Sequence, residues 1–386
     1  MKISSKIVRG GQDVKNPLEF PTPNLVLNSA ILLKSVEDGW NMFTNEKVEN
    51  VAYQRYSNPT VLTLEKKFKC IEGSKYSLAV NSGMTACYLV FRALLSSGDH
   101  IITQHSLYHE ISDQIKIDKK SSGVNYTFLE NYSIKNFENS VRPNTKMIFV
   151  ESPTNPAMYD VDISSLAKLC KSKKIDLVVD NTLLTPIYQK PLDKGATISL
   201  YSTTKTINGH GDSMGGIIST NDISIYKKLR EFRDYTGSII DPFSAWLTIR
   251  GIRTLLLRLE KHSQNAISVI NFLKNKYPQY KINYPTFCPN SKKNGVSGGG
   301  GIFSLELKSK EQGLTFIRSL KMIRIGTTFG NLESLVYHFG GFARPSRDIT
   351  KIGIPLGLVR LSIGIEDVND IISDIDQALT EVVEII

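Results

Sequence analysis

A chain of 386 residues with 41% hydrophobic and 22% charged side chains has the balance of a globular protein of two or three domains. No apolar run approaches the ~20 residues of a bilayer span. Residues 1–7 carry basic side chains but no apolar signal core, so a cytoplasmic protein without a membrane partner is expected. The net charge of +10 is spread over separate lysines such as Lys119-Lys120, Lys171 to Lys174 and Lys227-Lys228, without interleaved aromatics, which argues against a nucleic-acid surface.

Residues 1–57 read as an irregular arm. Pro17, Pro21 and Pro23 interrupt it, and the run Tyr53-Gln54-Arg55-Tyr56-Ser57-Asn58 lacks the apolar period of a core element. The arm is expected to pack on another part of the protein or on a second subunit. Pro59 then opens a helix. From 58 to about 256, strands and amphipathic helices alternate. Tyr76–Val80 is a strand, and the small-residue turn Asn81-Ser82-Gly83-Met84 leads into a helix around Cys87. Further strands are read from Asp99, at Met147–Val150, at Asp176–Asp180 and at Thr197–Leu200. Asp162 caps the helix before Asp176. Continuous apolar strands between helices predict a parallel sheet covered on both faces. Ligands then sit beyond the carboxyl ends of the strands, where Gly83, Asn155, Asp180 and Ser202 to Lys205 all fall. A long helix from Ser244 to Leu273 is expected to lead into a smaller α+β domain, 257–386, ending in an amphipathic helix over 371–386. The four cysteines, Cys70, Cys87, Cys170 and Cys288, form no C-x-x-C pair and read as buried free thiols in a reducing compartment.

The chemistry concentrates at Tyr201-Ser202-Thr203-Thr204-Lys205. Small hydroxyl residues and free backbone N–H groups suit a phosphate. Lys205 would then serve either as a point charge on that phosphate or as an amine held for Schiff-base chemistry. The strand-end carboxylate Asp180, just upstream, is the partner expected for pyridoxal phosphate, whose ring nitrogen it would keep protonated. No G-x-G-x-x-G follows the early strands, which disfavours a nucleotide-dependent oxidoreductase. No histidine–carboxylate group has metal spacing.

Several separated motifs resemble the pyridoxal-phosphate enzymes of cysteine and methionine metabolism: cystathionine γ-synthase, the cystathionine lyases, methionine γ-lyase and the O-acylhomoserine sulfhydrylases. They run nearly end to end: Tyr53-x-Arg55, Asn81-Ser82-Gly83-Met84, Glu151-Ser152-Pro153-x-Asn155-Pro156, Asp180-Asn181-Thr182, Ser202-x-Thr204-Lys205, Ala245-Trp246-Leu247 and Arg360-Leu361-Ser362. The resemblance implies fold-type I, aspartate aminotransferase-like: a three-layer αβα domain with a smaller α+β domain. It implies that Lys205 carries the cofactor and shuttles protons, that Asp180 pairs with the ring nitrogen, and that Asn155 bonds the ring hydroxyl. Gly83, Met84, Ser202 and Thr204 would hold the phosphate, and Tyr53 and Arg55 would reach the phosphate of a neighbouring subunit in a shared-site dimer or tetramer. Tyr108 would stack on the ring and act as acid to the leaving group, its phenol lowered in pKa by Arg55. Arg360 would clamp the substrate carboxylate, beside Thr328 and Asn155.

The sequence departs from the family at Thr206 for an aromatic, Thr197 for an acid, and His109-Glu110 after Tyr108. It departs again at Thr328-Phe329-Gly330 for Ser-Leu-Gly, and around Phe342-Ala343-Arg344-Pro345. The activity expected is β- or γ-elimination from a sulfur-containing amino acid such as cystathionine, methionine or cysteine. The alternative is γ-replacement.

Overall fold

The computed structural model describes residues 1–11, 21–44, 50–342 and 349–383. Seven strands form the larger sheet: β1 (Tyr76–Val80), β2 (His100–Gln104), β3 (Asn125–Leu129), β4 (Thr145–Glu151), β5 (Asp176–Asp180), β6 (Ile198–Ser202) and β7 (Gly216–Thr220), in the order β1-β7-β6-β5-β4-β2-β3. Every neighbouring pair from β3 to β6 is parallel. The expectation of an all-parallel sheet needs one correction, because β7 runs antiparallel to both β6 and β1. It follows the Lys205 turn through residues 203–215, a connection that carries no helix to make the crossover usual between parallel neighbours.

Alternate residues along each strand pack in opposite directions, as a period of two demands. Met147 and Phe149 join Leu89, Val90 and Phe91 on one face, while Ile148 and Val150 join Leu166 and Cys170 on the other. Helices therefore cover both faces. Asn58 caps Pro59–Glu72 by accepting from the Thr60 N–H, and Asp162 caps Ile163–Lys173 through the Ser165 N–H, with both helices starting at the positions read from sequence.

The predicted long helix is two, Pro242–Ile252 and Leu255–Lys276, separated at Arg253-Thr254. The second packs on a five-stranded sheet made of β8 (Lys281–Asn283), β9 (Ile302–Glu306), β10 (Arg324–Ile325), β11 (Leu335–His338) and β12 (Leu358–Ser362), in the order β10-β11-β12-β9-β8. Val269, Leu273, Phe303, Phe316, Leu361 and Leu379 share its core. No helix among the described residues is long and apolar enough to cross a membrane.

The arm is more regular than its sequence suggests. It holds helices Ile3–Arg9 and Val36–Thr44. The Lys67 ammonium donates to the Val8 and Gly10 carbonyls, pinning the first helix, and the Trp246 indole donates to Pro23 O at 2.9 Å. Leu32, Val36 and Trp40 stay largely exposed.

Candidate active site

The carboxyl ends of β4, β5 and β6 open into a cavity of about 550 Å³ whose other wall comes from the smaller sheet. Gly83, Met84, Tyr108, Asn155, Asp180, Ser202, Thr204, Lys205, Thr328 and Arg360 all line it. It thus gathers residues spread over nearly 280 positions of sequence.

Its floor is built by close approach. Helix Gly83–Leu94 starts at the cavity, with the Ser82 hydroxyl capping it through the Thr85 N–H at 3.0 Å. A Cβ at Gly83 would lie 2.7 Å from Ser202 Cβ, so only glycine lets the helix start sit against the end of β6. At Gly216 a Cβ would collide with the Ser82 carbonyl. The Thr182 hydroxyl accepts from Ser202 N–H at 2.8 Å, and Asp180 Oδ1 accepts from Thr182 N–H at 2.9 Å. The Thr204 hydroxyl accepts from the Gly215 N–H at 3.1 Å. A free N–H-bearing helix start beside hydroxyls is a phosphate site in form.

Lys205 turns its amine into the cavity, donating to the Thr328 hydroxyl at 3.1 Å and lying 5.2 Å from the Phe329 ring centre. Burial, aided by the positive charge of Arg360, brings its pKa down to about 8. A neutral amine is therefore accessible near neutral pH, as nucleophilic chemistry requires. Burial raises the Asp180 carboxyl.

Arg360, in the fully buried β12, donates to Thr328 O at 2.8 Å and Asn155 Oδ1 at 3.3 Å. Tyr337, Phe339 and Phe329 surround the guanidinium at 5.3–5.8 Å. Its Nε is buried without a partner, and burial lowers its pKa to about 10. A desolvated guanidinium with spare donors is poised for a carboxylate.

Tyr108 lines the cavity, while the arm residues Tyr53 and Arg55 do not. The Tyr108 phenol is pushed up to about 12, by burial first and then by the Glu110 charge. The expected lowering by Arg55 is not found within one chain. Arg55 instead donates to Asp234 O at 2.5 Å and lies 4.6 Å over the Tyr56 ring. Tyr53 bridges to Ala30. Neither Tyr53 nor Arg55 lines this chain's cavity. Glu110 does line it, its carboxyl held below the usual range: burial is the largest influence and works against this, but hydrogen bonds from His109, its own backbone N–H and Tyr108 together with the His109 charge outweigh it. Arg344 lies outside the described residues.

Tyr337 and Phe339 went unnoticed in the sequence. Tyr337 pairs with Arg360 across β11 and β12, and alternation in Leu335-Val336-Tyr337-His338 is the signal that could have found it. Among the described residues no group of side chains is suited to a metal ion.

The residues present fit pyridoxal phosphate. A glycine-tight cradle lies at the helix start, a carboxylate ends the central strand, a desolvated amine opens into the same cavity, and a guanidinium with an unpartnered Nε stands at the substrate side. Fold and site together define a pyridoxal-phosphate-dependent enzyme. The chain belongs to the Cys/Met metabolism PLP-dependent enzyme family, which matches residues 4–380. It is 33% identical over 367 residues to L-methionine gamma-lyase of Fusobacterium nucleatum, covering 92% of each chain. It is 35% identical over 337 residues to cystathionine gamma-lyase of Bacillus subtilis, covering 86% of this chain and 89% of that one. The crystal structure of cystathionine gamma-lyase from Lactobacillus plantarum in complex with L-serine superposes with a TM-score of 0.91 at 29% identity, covering 99% of both chains.

Proposed function

We propose that the protein is a pyridoxal-phosphate-dependent carbon–sulfur lyase that removes a β- or γ-substituent from a sulfur-containing amino acid. One observation carries this reading. Lys205 and Arg360 both bond Thr328, the amine to its hydroxyl and the guanidinium to its carbonyl. A single residue thus holds an amine and a carboxylate clamp together in one cavity, the two contacts an α-amino acid calls for. The names of the relatives, methionine and cystathionine lyases, support the sulfur-bearing side chain.

When bound, the cofactor supplies an electron sink that acidifies the substrate α-carbon. Asp180 would pair with its ring nitrogen, Asn155 with its ring hydroxyl, and Gly83, Met84, Ser202 and Thr204 with its phosphate. Arg360 binds the substrate carboxylate in a two-pronged contact. The Lys205 amine takes the α-proton and returns protons to neighbouring carbons. Tyr108, kept protonated by burial and by Glu110, donates a proton to the departing sulfur. Tyr53 and Arg55 point away from this chain's cavity, so they would complete the site of a second copy, and the exposed arm supports a shared-site homo-oligomer.

The test is a direct assay. Methionine and cystathionine incubated with the holoenzyme should yield a keto acid and ammonia without any added thiol. Product that forms only when a thiol is supplied would overturn elimination in favour of replacement.

A further inference from the structure

Glu151 ends β4 and is 7% exposed. A carboxylate there is costly, by several kcal/mol for an unpaired buried ion. What it does accept is backbone. Its Oε2 takes the Tyr108 N–H at 3.0 Å and its Oε1 the Asn155 N–H at 2.9 Å, while its own N–H is held by Gln104 Oε1 at 2.8 Å. The two anchored residues come from separate loops, 47 positions apart in sequence, and both face the cavity. Helix His109–Ser122 begins at Tyr108 with no side-chain cap of its own, so the Glu151 carboxylate is what fixes that helix start.

Stability alone does not account for this placement. Glu151 is the register partner of Asp180 on β5, so a second carboxylate stands beside the first. Burial and then the Asp180 charge drive Glu151 up to about 8. The other titratable groups around the pair are Cys87 from helix Gly83–Leu94 and the Tyr108 phenol, both raised in part by these carboxylates. Among the described residues of these elements no cation offsets the pair. Costly local choices of this kind persist where they serve a site.

We propose that Glu151 is the positioning residue of the cofactor site: one carboxylate ties the backbones of Tyr108 and Asn155 to the end of β4 and sets both side chains at the cofactor ring faced by Asp180. This rests on the pyridoxal-phosphate reading of the cavity. Glu151 borders the cavity, but both of its carboxyl oxygens are taken up by backbone N–H groups. It acts through the two residues it holds.

The experiment uses holoenzyme and reads the affinity for pyridoxal phosphate and the circular dichroism of its visible band. That signal reports ring orientation and is not moved by a residue that only supports the fold. Glu151→Gln keeps one acceptor and loses the other. It should weaken cofactor binding up to about tenfold, the upper end of the worth of one hydrogen bond, and diminish the visible dichroism while the far-ultraviolet spectrum stays unchanged. Glu151→Asp, with both oxygens but a shorter reach, should fall between, and it carries the same comparison if the glutamine variant does not fold. In a Tyr108→Ala/Asn155→Ala background, Glu151→Gln should add nothing, because the residues through which it acts are gone. A full tenfold loss persisting in that background would overturn the proposal, as would wild-type affinity and dichroism in Glu151→Gln. If the wild-type protein forms no visible band with pyridoxal phosphate, it is the reading of the cavity that fails, an outcome distinct from either.

Discussion

The two walls of the cavity are built on different terms. The cofactor wall is made of strand ends and a helix start whose backbones are in contact, with Gly83 against Ser202 and Gly216 against Ser82. Its side chains are short and held by neighbouring backbone, as Asp180 is by Thr182 N–H. The substrate wall comes from the other sheet and is made of long or aromatic side chains: Arg360, Phe329, Tyr337 and Phe339. A wall of backbone contacts tolerates little change, whereas one of side chains can be re-lined without disturbing the sheets beneath it. Asp180 and Lys205 keep the family pattern, while departures fall at Thr328-Phe329 on the substrate wall and also at Glu110, Thr197 and Thr206.

Five substitutions would break or sharpen this contrast. The largest effect belongs to Lys205→Ala, which should lower turnover on the order of 10⁴-fold and abolish attachment of the cofactor. Borohydride reduction of the native protein should place the label on the peptide holding Lys205; a label elsewhere would remove that residue from the centre of the cofactor wall. Mixing this variant with an equally inactive Arg55→Ala should restore part of the activity if sites are shared between copies. Demonstrated mixed oligomers without recovery would mean that each chain completes its own site.

Tyr108→Phe comes next, at the seam between the walls. Losing the phenolic proton should lower kcat for elimination on the order of 10²-fold, with KM little changed. An intact kcat would leave the ring as packing only and move the acid elsewhere. Arg360→Lys should act differently. A point charge cannot reproduce the guanidinium fork, so KM should rise roughly tenfold with kcat nearly kept, as for an interaction made equally in ground and transition states. A selective fall in kcat would contradict that uniform role.

Glu110→Gln should have the smallest effect. Its carboxylate is one of the charges that hold the Tyr108 phenol up at about 12. Removing a negative charge favours the phenolate, so the phenol should shift back down toward its ordinary value. Activity that needs the protonated phenol would then be lost at a lower pH than in the wild type. The alkaline limb of the kcat profile is the measurement, and a limb that does not move would show that Glu110 and Tyr108 titrate independently.

Most of the cofactor wall was legible in the amino-acid sequence, because its determinants are local. Glycine where a Cβ would collide, a carboxylate at the end of an apolar run and a lysine after small hydroxyl residues each leave a short, recognisable trace. The cap at Asp162 and the helix start at Pro59 were readable for the same reason. The reversed strand β7 was not, since strand direction depends on how the chain returns after Lys205 rather than on any pattern within Gly216–Thr220. Tyr337 and Phe339 escaped notice because their role exists only once β11 lies beside β12 and the smaller sheet closes over the larger. The lowered Tyr108 phenol expected under Arg55 belongs to a site shared between copies; within one chain its proton affinity is set by burial and by Glu110. Glu151 looked like one letter of a motif. Only the packed structure, in which one buried carboxylate must find its donors among backbones far apart in sequence, showed which residues it holds.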